Sequence, residues 1–290
     1  MSAQVLSGIL IANEMHQTLK ARVQKHIDQG LRVPGLAVIL IGKDPASRLY
    51  VSKKHSACLK VGIASESYEF DVSVSQKELE DLIDKLNNNQ RVDGILVQMP
   101  LPKHINPQAI VEKINPNKDV DGFHPYNLGR LVQRCPLLRP CTPAGVMTLI
   151  EKTKVKIEGL NATVVGASNV VGRPMSLELL MAGCTVTTCH SLTRDLKAAV
   201  LNADIVVAAA GKFHLIQGDW IKPGAIVIDV GMNRMDNGSF RGDVDFESAK
   251  EKASWITPVP GGVGPMTVAT LLSNTLSAYE TLHLETRSTL

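Results

Sequence analysis

The stretch Val164-Val-Gly-Ala-Ser-Asn-Val-Val-Gly-Arg-Pro-Met175 decides the fold. It predicts a β-rich strand, a loop bounded by Gly166 and Gly172, and then a helix. Such a unit directs free backbone N–H groups and the positive end of the helix dipole at a ligand, which favours a pyrophosphate. Ser168 stands where the second glycine of the dinucleotide fingerprint would be. The motif alone is therefore also compatible with an ordinary tight turn between a strand and a helix.

The end of the next predicted strand, Cys189-His-Ser-Leu-Thr193, bears on the choice of cofactor. NAD-binding domains usually carry an acidic residue there for the ribose hydroxyls, and this stretch has none. The hydroxyls of Ser191 and Thr193, with Arg173 and Arg194 nearby in the sequence, suit a 2′-phosphate instead. The stretch therefore favours NADP over NAD.

Strands alternate with helices on both sides of a proline-punctuated segment around Pro136, Pro140 and Pro143. The alternation predicts two α/β domains with parallel sheets, the second Rossmann-like, with a cleft between them. We expect domain boundaries at 1–140 and 141–268, with a last helix over about 269–290 that packs on the first domain. Predicted strands cover residues 36–41, 64–68, 94–98, 163–165, 185–189, 205–209 and 225–229.

The composition excludes several classes of protein. Hydrophobic residues make up 44% and charged residues 20% of the 290, as in ordinary globular chains. The 31 basic and 28 acidic residues are scattered, so we expect no nucleic-acid partner. Without an export signal or an apolar run of about 18 residues, we expect no membrane partner and a cytoplasmic location. The five cysteines lack metal-ligand spacing, so we expect no metal site.

Tyr50 and Lys54 stand four residues apart in a helix predicted over 46–59, after Asp44-Pro45 as its amino-terminal cap. This spacing places a phenol and an amine on one helix face, whereas Lys43 and Lys53 are expected to lack that face. A solvated surface pair is the common alternative for such a spacing. The short-chain dehydrogenases also use Tyr-x-x-x-Lys, but there the pair follows the dinucleotide glycines, and here it precedes them.

Six segments in this order, over nearly the whole chain, resemble the bacterial-type bifunctional methylenetetrahydrofolate dehydrogenase/methenyltetrahydrofolate cyclohydrolase family. The segment Thr257–Thr267, which holds Pro258, Pro260 and three glycines before a helix, is the most specific of them. The six segments are Tyr50-x-x-x-Lys54, Val97-Gln-Met-Pro-Leu-Pro102, Lys118-Asp-Val-Asp-Gly122, Pro140-Cys-Thr-Pro143, Gly166-Ala-Ser-Asn-Val-Val-Gly-Arg-Pro174 and Thr257-Pro-Val-Pro-Gly-Gly-Val-Gly-Pro-Met-Thr267.

The resemblance implies NADP-dependent oxidation of 5,10-methylenetetrahydrofolate and hydrolysis of the 5,10-methenyl product to 10-formyltetrahydrofolate. It implies Lys54 as general acid/base of the hydrolysis and Tyr50 as a residue that stacks on or orients the folate. It also implies that Gln98 hydrogen-bonds the lysine and that Asp121 holds the pterin ring. Asp119 suits a turn-capping role better.

The resemblance also implies the remaining site residues, a homodimer, and a place in purine, methionine and histidine biosynthesis. Family members often have arginine after the first loop glycine, where this chain has Ala167, which leaves an NAD-preferring monofunctional dehydrogenase open. A non-catalytic folate-binding paralogue is the other alternative. The implied substrate residues are Tyr50, Val97, Gln98, Pro100, Asp121, Pro260, Gly261, Gly262, Gly264 and Pro265, and the implied cofactor residues are Gly166, Ala167, Ser168, Val171, Gly172, Arg173, Pro174, His190, Ser191, Ala210, Gly211, Gly231 and Thr267.

Overall fold

The computed structural model describes residues 2–283, which divide into two compact units. The Lys54 unit comprises Asn13–Cys141 and Val268–Leu290, and the Gly166 unit comprises Met1–Ala12 and Thr142–Thr267. Each unit is described by itself. The last residues of the predicted carboxyl-terminal helix, 284–290, lie outside the described residues.

The helices and strands of residues 2–283 alternate along most of the chain, as predicted. The strands are β1 (Gln4–Val5), β2 (Gly35–Ile41), β3 (Ala64–Phe70), β4 (Gly94–Val97), β5 (Asn161–Val165), β6 (Thr185–Cys189), β7 (Ile205–Ala208), β8 (Ile226–Asp229), β9 (Asn233–Arg234), β10 (Phe240–Arg241) and β11 (Trp255–Ile256). The α-helices are α1 (Gly8–Asp28), α2 (Pro45–Val61), α3 (Gln76–Asn88), α4 (Pro107–Lys113), α5 (Pro125–Val132), α6 (Cys141–Lys152), α7 (Gly172–Met181), α8 (Leu196–Leu201), α9 (Phe246–Lys250) and α10 (Val263–His283).

The Lys54 unit is built on a three-stranded parallel sheet in the order β3-β2-β4. All seven residues of β2 are buried, because both faces of this central strand are covered. Leu36, Val38 and Leu40 pack in one apolar cluster with residues of α1, α2 and α10. Ala37 and Ile39 pack in the other, with residues of α3 and α4.

Local sequence sets the starts of the helices that flank this sheet. The Asp44 carboxylate accepts a hydrogen bond from the Ser47 backbone N–H at 2.8 Å, and Pro45 occupies the first turn of α2. At α3 the predicted capping box is present, since Ser75 and Glu78 hydrogen-bond each other's backbone N–H groups. The Asp44 cap fixes the residue at which α2 begins and therefore the place of Lys54 along that helix.

The Gly166 unit contains a six-stranded parallel sheet in the order β1-β11-β8-β7-β5-β6. After β5 the chain passes to β6 on one side and then to β7 on the other. Ligands bind at such a switch point, beyond the carboxyl ends of the strands. The predicted Rossmann-like fold is thereby confirmed, and the loops after β5 and β7 are the ones that meet there.

The first residues of the chain do not belong to the unit in which the prediction of a 1–140 domain placed them. Residues 2–12 belong to the Gly166 unit because β1 pairs in parallel with β11, Gln4 with Trp255 and Val5 with Ile256. Their predicted place in the first domain rested on chain order, and a two-residue edge strand has no sequence signature. The proline-punctuated segment predicted as the boundary follows α5 and contains the start of α6.

Within residues 2–283 no helix combines the length and apolar character needed to cross a membrane. Over the same residues no cluster of three or more His, Cys, Asp or Glu side chains is placed to hold a metal ion. All five cysteines are free thiols, and only Cys135 is exposed.

Candidate active site

Lys54 lies on α2 with only 8% of its surface exposed, an unusual position for a lysine. Its Nζ donates to Gln98 Oε1 at 3.0 Å, which is the hydrogen bond that the sequence led us to expect. Gln98 follows β4, and its Nε2 donates to the Met99 carbonyl oxygen at 2.9 Å. Because that bond uses the amide nitrogen, the amide oxygen is the atom that faces the lysine.

Asp121 reaches the same sheet edge through a short extension of the sheet. Asp119 forms an isolated parallel bridge with Ile95 of β4, and Asp121 lies in the turn that follows, which is closed by the Gly122 N–H bond to the Asp119 carbonyl oxygen at 3.0 Å. Burial raises the pKa of the Asp121 carboxyl above its ordinary value, while the positive charge of Lys54 acts to lower it. The electrostatic coupling shows that the Lys54 ammonium and the Asp121 carboxyl belong to one polar cluster.

Asn274, which the sequence did not mark, and Cys141 of the motif Pro140–Pro143 hold the backbone around Asp121. Asn274 of α10 donates through Nδ2 to the carbonyl oxygens of Val120 at 2.9 Å and Arg139 at 2.8 Å. The Cys141 thiol donates to the Val120 oxygen at 3.1 Å, and its backbone N–H donates to the Asp121 oxygen at 3.2 Å. Asn274 stands 153 residues beyond Asp121, and only the packing of α10 could have pointed to it.

Tyr50 is half-buried on α2, one turn before Lys54, and burial raises the pKa of its phenol. The expectation that Lys53 lacks the face of Tyr50 is wrong. The Lys53 ammonium lies 5.9 Å from the Tyr50 ring centroid, within reach of a cation–π interaction. Residues three apart on a helix are neighbours as well as residues four apart, so Tyr50 shares a helix face with Lys53 as well as with Lys54.

The neighbours of Asp121 in the motif Lys118–Gly122 have structural partners. The Lys118 ammonium is buried and donates to the carbonyl oxygens of Leu86 at 3.1 Å and Asn89 at 2.9 Å. The Asp119 carboxylate accepts from the His124 N–H at 2.8 Å and Asn127 Nδ2 at 2.9 Å, so it holds the start of α5 rather than capping its own turn. These contacts leave Asp121 as the functional candidate of the motif.

In the Gly166 unit the predicted cofactor loop follows β5 and needs both of its glycines. Gly166 has φ +128°, and a Cβ there would lie 2.1 Å from the Ala209 carbonyl oxygen, in the loop after β7. A Cβ on Gly172 would lie 2.0 Å from the Gly166 carbonyl oxygen. Backbone is therefore packed against backbone at the switch point, a cradle without side chains that fits a dinucleotide pyrophosphate.

The side chains of this loop are held by the loop itself. The Ser168 hydroxyl accepts from the N–H groups of Val171 at 3.2 Å and Gly172 at 3.4 Å, and thus caps α7. The exposed Arg173 donates from Nε to the Ala167 carbonyl oxygen at 3.2 Å, which keeps its guanidinium beside the loop. Pro174 is buried in the first turn of α7.

The turn after β6 presents the residues predicted to recognise a 2′-phosphate. His190 and Ser191 are both exposed. The His190 ring accepts from the Leu192 N–H at 3.2 Å, and the Thr193 hydroxyl accepts from the His190 N–H at 2.9 Å. Thr193 therefore shapes the turn, and Ser191 is the hydroxyl at its exposed tip.

Two buried carboxylates, Asp229 and Asp243, join the loops at the carboxyl ends of β7 and β8. Asp243 accepts from the N–H groups of Ala210 at 2.7 Å, Gly211 at 2.8 Å and Lys212 at 2.9 Å. Asp229 accepts from the N–H groups of Gly231, Asp243 and Val244 at 2.9 to 3.0 Å. Sequence reasoning missed both residues, although an acidic residue at the end of a buried strand, as at Asp229 in β8, is a usable signal.

The segment Thr257–Thr267 directly follows β11 and ends in the first turns of α10. Its loop is also built from close backbone contacts. The Thr257 hydroxyl is buried and accepts from the Asp229 N–H at 2.7 Å. Gly261 has φ +103°, and a Cβ on Gly262 would lie 2.6 Å from the Pro258 carbonyl oxygen. The Thr267 hydroxyl lies 3.0 Å from that of Thr142, so this predicted cofactor residue already has a side-chain partner.

The predicted residues fall into groups. Lys54, Gln98 and Asp121 form one polar cluster in the Lys54 unit, with Tyr50 on the same helix as the lysine; Val97 is buried beside Gln98 and Pro100 is exposed. The Gly166 unit holds the rest, which are Pro260, Gly261, Gly262, Gly264, Pro265 and all the predicted cofactor residues. The Gly166 unit also contains a cavity of about 530 Å³ that is lined by residues outside the predicted set, among them Phe213, His214, Arg241 and Phe246.

Two family models match the chain in the order of its motifs. Residues 6–121 match the catalytic domain of tetrahydrofolate dehydrogenase/cyclohydrolase, and residues 140–283 match the NAD(P)-binding domain of the same family. The two matches together cover most of the chain.

Solved structures agree with this assignment. The bifunctional methylenetetrahydrofolate dehydrogenase/cyclohydrolase from Campylobacter jejuni is 46% identical with a TM-score of 0.95, over 97% of this chain and 100% of that chain. The enzyme from Trypanosoma brucei, complexed with NADP cofactor and inhibitor, is 38% identical with a TM-score of 0.93, over 97% and 99%. The bifunctional enzyme from Thermoplasma acidophilum is 36% identical with a TM-score of 0.90, over 96% and 98%. This chain therefore belongs to the tetrahydrofolate dehydrogenase/cyclohydrolase family.

Proposed function

We propose that the chain oxidises 5,10-methylenetetrahydrofolate with NADP and hydrolyses the resulting 5,10-methenyltetrahydrofolate to 10-formyltetrahydrofolate. The observation that carries the proposal is the buried Lys54 ammonium on Gln98 Oε1, in one cluster with Asp121, in a chain 46% identical to a bifunctional enzyme. A lysine needs a compensating reason to be buried, and proton transfer is one that this chemistry requires.

In the hydrolysis, water adds to the methenyl carbon that bridges N5 and N10. The Lys54 side chain, as the neutral amine, accepts one proton of that water, and Gln98 holds it in place through the 3.0 Å hydrogen bond. The bond from this carbon to N5 then breaks, and Lys54 returns its proton to N5. The added hydroxyl loses its proton to solvent as it becomes the oxygen of the formyl group on N10. One proton is released overall, since the methenyl substrate is a cation and the product is not.

Asp121 binds the substrate rather than transferring protons. An ionised carboxylate accepts two hydrogen bonds from the amino-pyrimidinone edge of a pterin. The Tyr50 ring orients the folate from the same helix face as Lys54. The oxidation requires no protein acid or base, because NADP, when bound, accepts the hydride directly.

The cofactor is held by the Gly166 unit. The glycine cradle of Gly166 and Gly172 takes the pyrophosphate at the start of α7. Arg173 and Ser191 take the 2′-phosphate, a role favoured by the exposure of both side chains and by the contact of Arg173 with Ala167. Purified protein tests the proposal: we expect both reactions, with a higher initial rate on NADP than on NAD. Absence of both reactions would refute it, and equal rates with NAD would refute the 2′-phosphate assignment.

We also propose a cytoplasmic homodimer that supplies one-carbon units to purine, methionine and histidine biosynthesis. The pathways follow from the products, and the dimer follows from the family. The free, mostly buried thiols suit a reducing compartment. Sedimentation of the purified protein tests the dimer, and a monomer at assay concentrations would refute it.

A further inference from the structure

The loop after β7 forms an anion nest that the protein fills itself. The N–H groups of three consecutive residues, Ala210, Gly211 and Lys212, point at one carboxylate, that of Asp243. Gly211 has φ +64°, the left-handed conformation that lets successive N–H groups converge. Such a nest would otherwise bind a phosphate. Because Asp243 occupies it, this loop is closed to anions, unlike the loop at Gly166.

The orientation of the N–H groups sets that of the carbonyl groups. In a trans peptide the C=O points opposite to the N–H. The carbonyl oxygens of Ala209, Ala210 and Gly211 therefore point away from Asp243. For Ala209 this direction is visible, since its oxygen lies where a Cβ of Gly166 would be, 2.1 Å away. The loop thus presents acceptors rather than donors at the switch point.

Asp243 is itself held tightly. Its backbone N–H donates to Asp229 at 3.0 Å, and its Oδ1 accepts from Asn233 Nδ2 at 2.8 Å. A Cβ on Gly231 would lie 2.2 Å from Asp243 Oδ1, and one on Gly242 would lie 1.8 Å from Asp229 Oδ2. Side chains are excluded around the two carboxylates, so the loops after β7 and β8 are fixed to a single support.

We propose that Asp243 is a positioning residue for the cofactor: by holding the loop after β7, it turns the carbonyl oxygens of Ala210 and Gly211 toward the end of the dinucleotide that carries the carboxamide. The inference rests on the proposed function, because it takes NADP as the ligand of this sheet edge. A carboxamide offers N–H donors, which match these oxygens, whereas a phosphate is taken by the glycine cradle. The test separates positioning from folding because the hydrolysis does not consume NADP.

The test compares Asp243→Asn with Asp219→Asn, an equal change at an exposed carboxylate of the same unit that pairs with Lys197. The Kd for NADP, measured by titration calorimetry, should rise at least ~10-fold in Asp243→Asn, as expected for lost hydrogen bonds to a charged group. The KM for NADP should rise more than kcat falls. Hydrolysis of methenyltetrahydrofolate without NADP should stay within ~3-fold of the control, since a positioning loss leaves the other chemistry intact.

Hydrogen exchange gives a readout besides activity. The amides of residues 210–212 should exchange faster in Asp243→Asn, while those of the core strand β7 keep their protection. If Asp243→Asn does not fold, Asn233→Ala removes one hydrogen bond to the same carboxylate and should raise the Kd for NADP about 3-fold. An unchanged Kd in whichever variant folds overturns the inference, and so does an equal loss of hydrolysis and NADP binding. Wild-type protein that binds no NADP would instead refute the proposed function.

Discussion

Replacing Gly166 by alanine should abolish most NADP-dependent oxidation and spare the hydrolysis. The added Cβ would lie 2.1 Å from the Ala209 oxygen, where carbon–oxygen contacts are normally at least about 3.3 Å, so the two loops must separate by about 1 Å. A misplacement of about 1 Å costs on the order of 100-fold in a positioned reaction. We therefore expect a ~100-fold fall in kcat/KM for NADP-dependent oxidation.

Gly159→Ala is the matched control for this prediction. Gly159 lies in the same unit with φ +81°, but no heavy atom lies within 4 Å of the added Cβ. It carries only the backbone cost of a left-handed alanine, about 1–2 kcal/mol, and leaves the cofactor loop in place. Steady-state rates of both reactions would be measured for the two variants. Oxidation by Gly166→Ala within about threefold of the control would refute the reasoning about backbone contact.

Two further perturbations have defined outcomes. Burial raises the pKa of Asp229 to about 7 from its ordinary 3.8, so its contribution to stability is present at low pH and is lost as the pH rises through 7. Between pH 5 and 8, the free energy of unfolding in urea should therefore fall by about 3 kcal/mol more for wild type than for Asp229→Asn. A difference in unfolding free energy that stays constant with pH would contradict this. Asn274→Leu leaves two buried carbonyl groups beside Asp121 without their donor, so the KM for the folate substrate should rise at least ~10-fold in both reactions. Its Kd for NADP should not change, and an unchanged KM for the folate would count against Asn274.

Long, periodic elements could be predicted from the sequence because their signals are local. The strand over 36–41, the capping box at Ser75 and the strand–loop–helix unit at Gly166 each follow from neighbouring residues. The same argument failed for β1, whose two residues owe their conformation to pairing with β11 on the far side of the sequence. It also failed for α5, which was not predicted, and for α6, which begins at Cys141 between prolines interpreted as a domain boundary.

The residues of the candidate site also divide into those that local motifs predict and those that only the packing reveals. Lys54 and Gln98 belong to motifs with recognisable chemistry, and their hydrogen bond was expected. Asn274 donates to residues 154 and 135 positions away, and Asp243 accepts from residues 31 to 33 positions away, through packing that no spacing encodes. Their roles follow from which backbone groups they hold. Lys118 and Asp119 show the converse, since charged residues inside a functional motif are held as structural supports.

The central claim is that Lys54 transfers the protons of the hydrolysis. Its most direct test is Lys54→Ala, with Lys60→Ala, a change at an exposed lysine near the end of the same helix, as the control. We expect hydrolysis of methenyltetrahydrofolate to fall at least ~100-fold in Lys54→Ala, the lower range for loss of a general acid/base. Oxidation should fall by less than about tenfold, because hydride transfer depends on placement alone. Hydrolysis that stays at the level of the Lys60→Ala control would contradict the claim and assign the proton transfer to another residue.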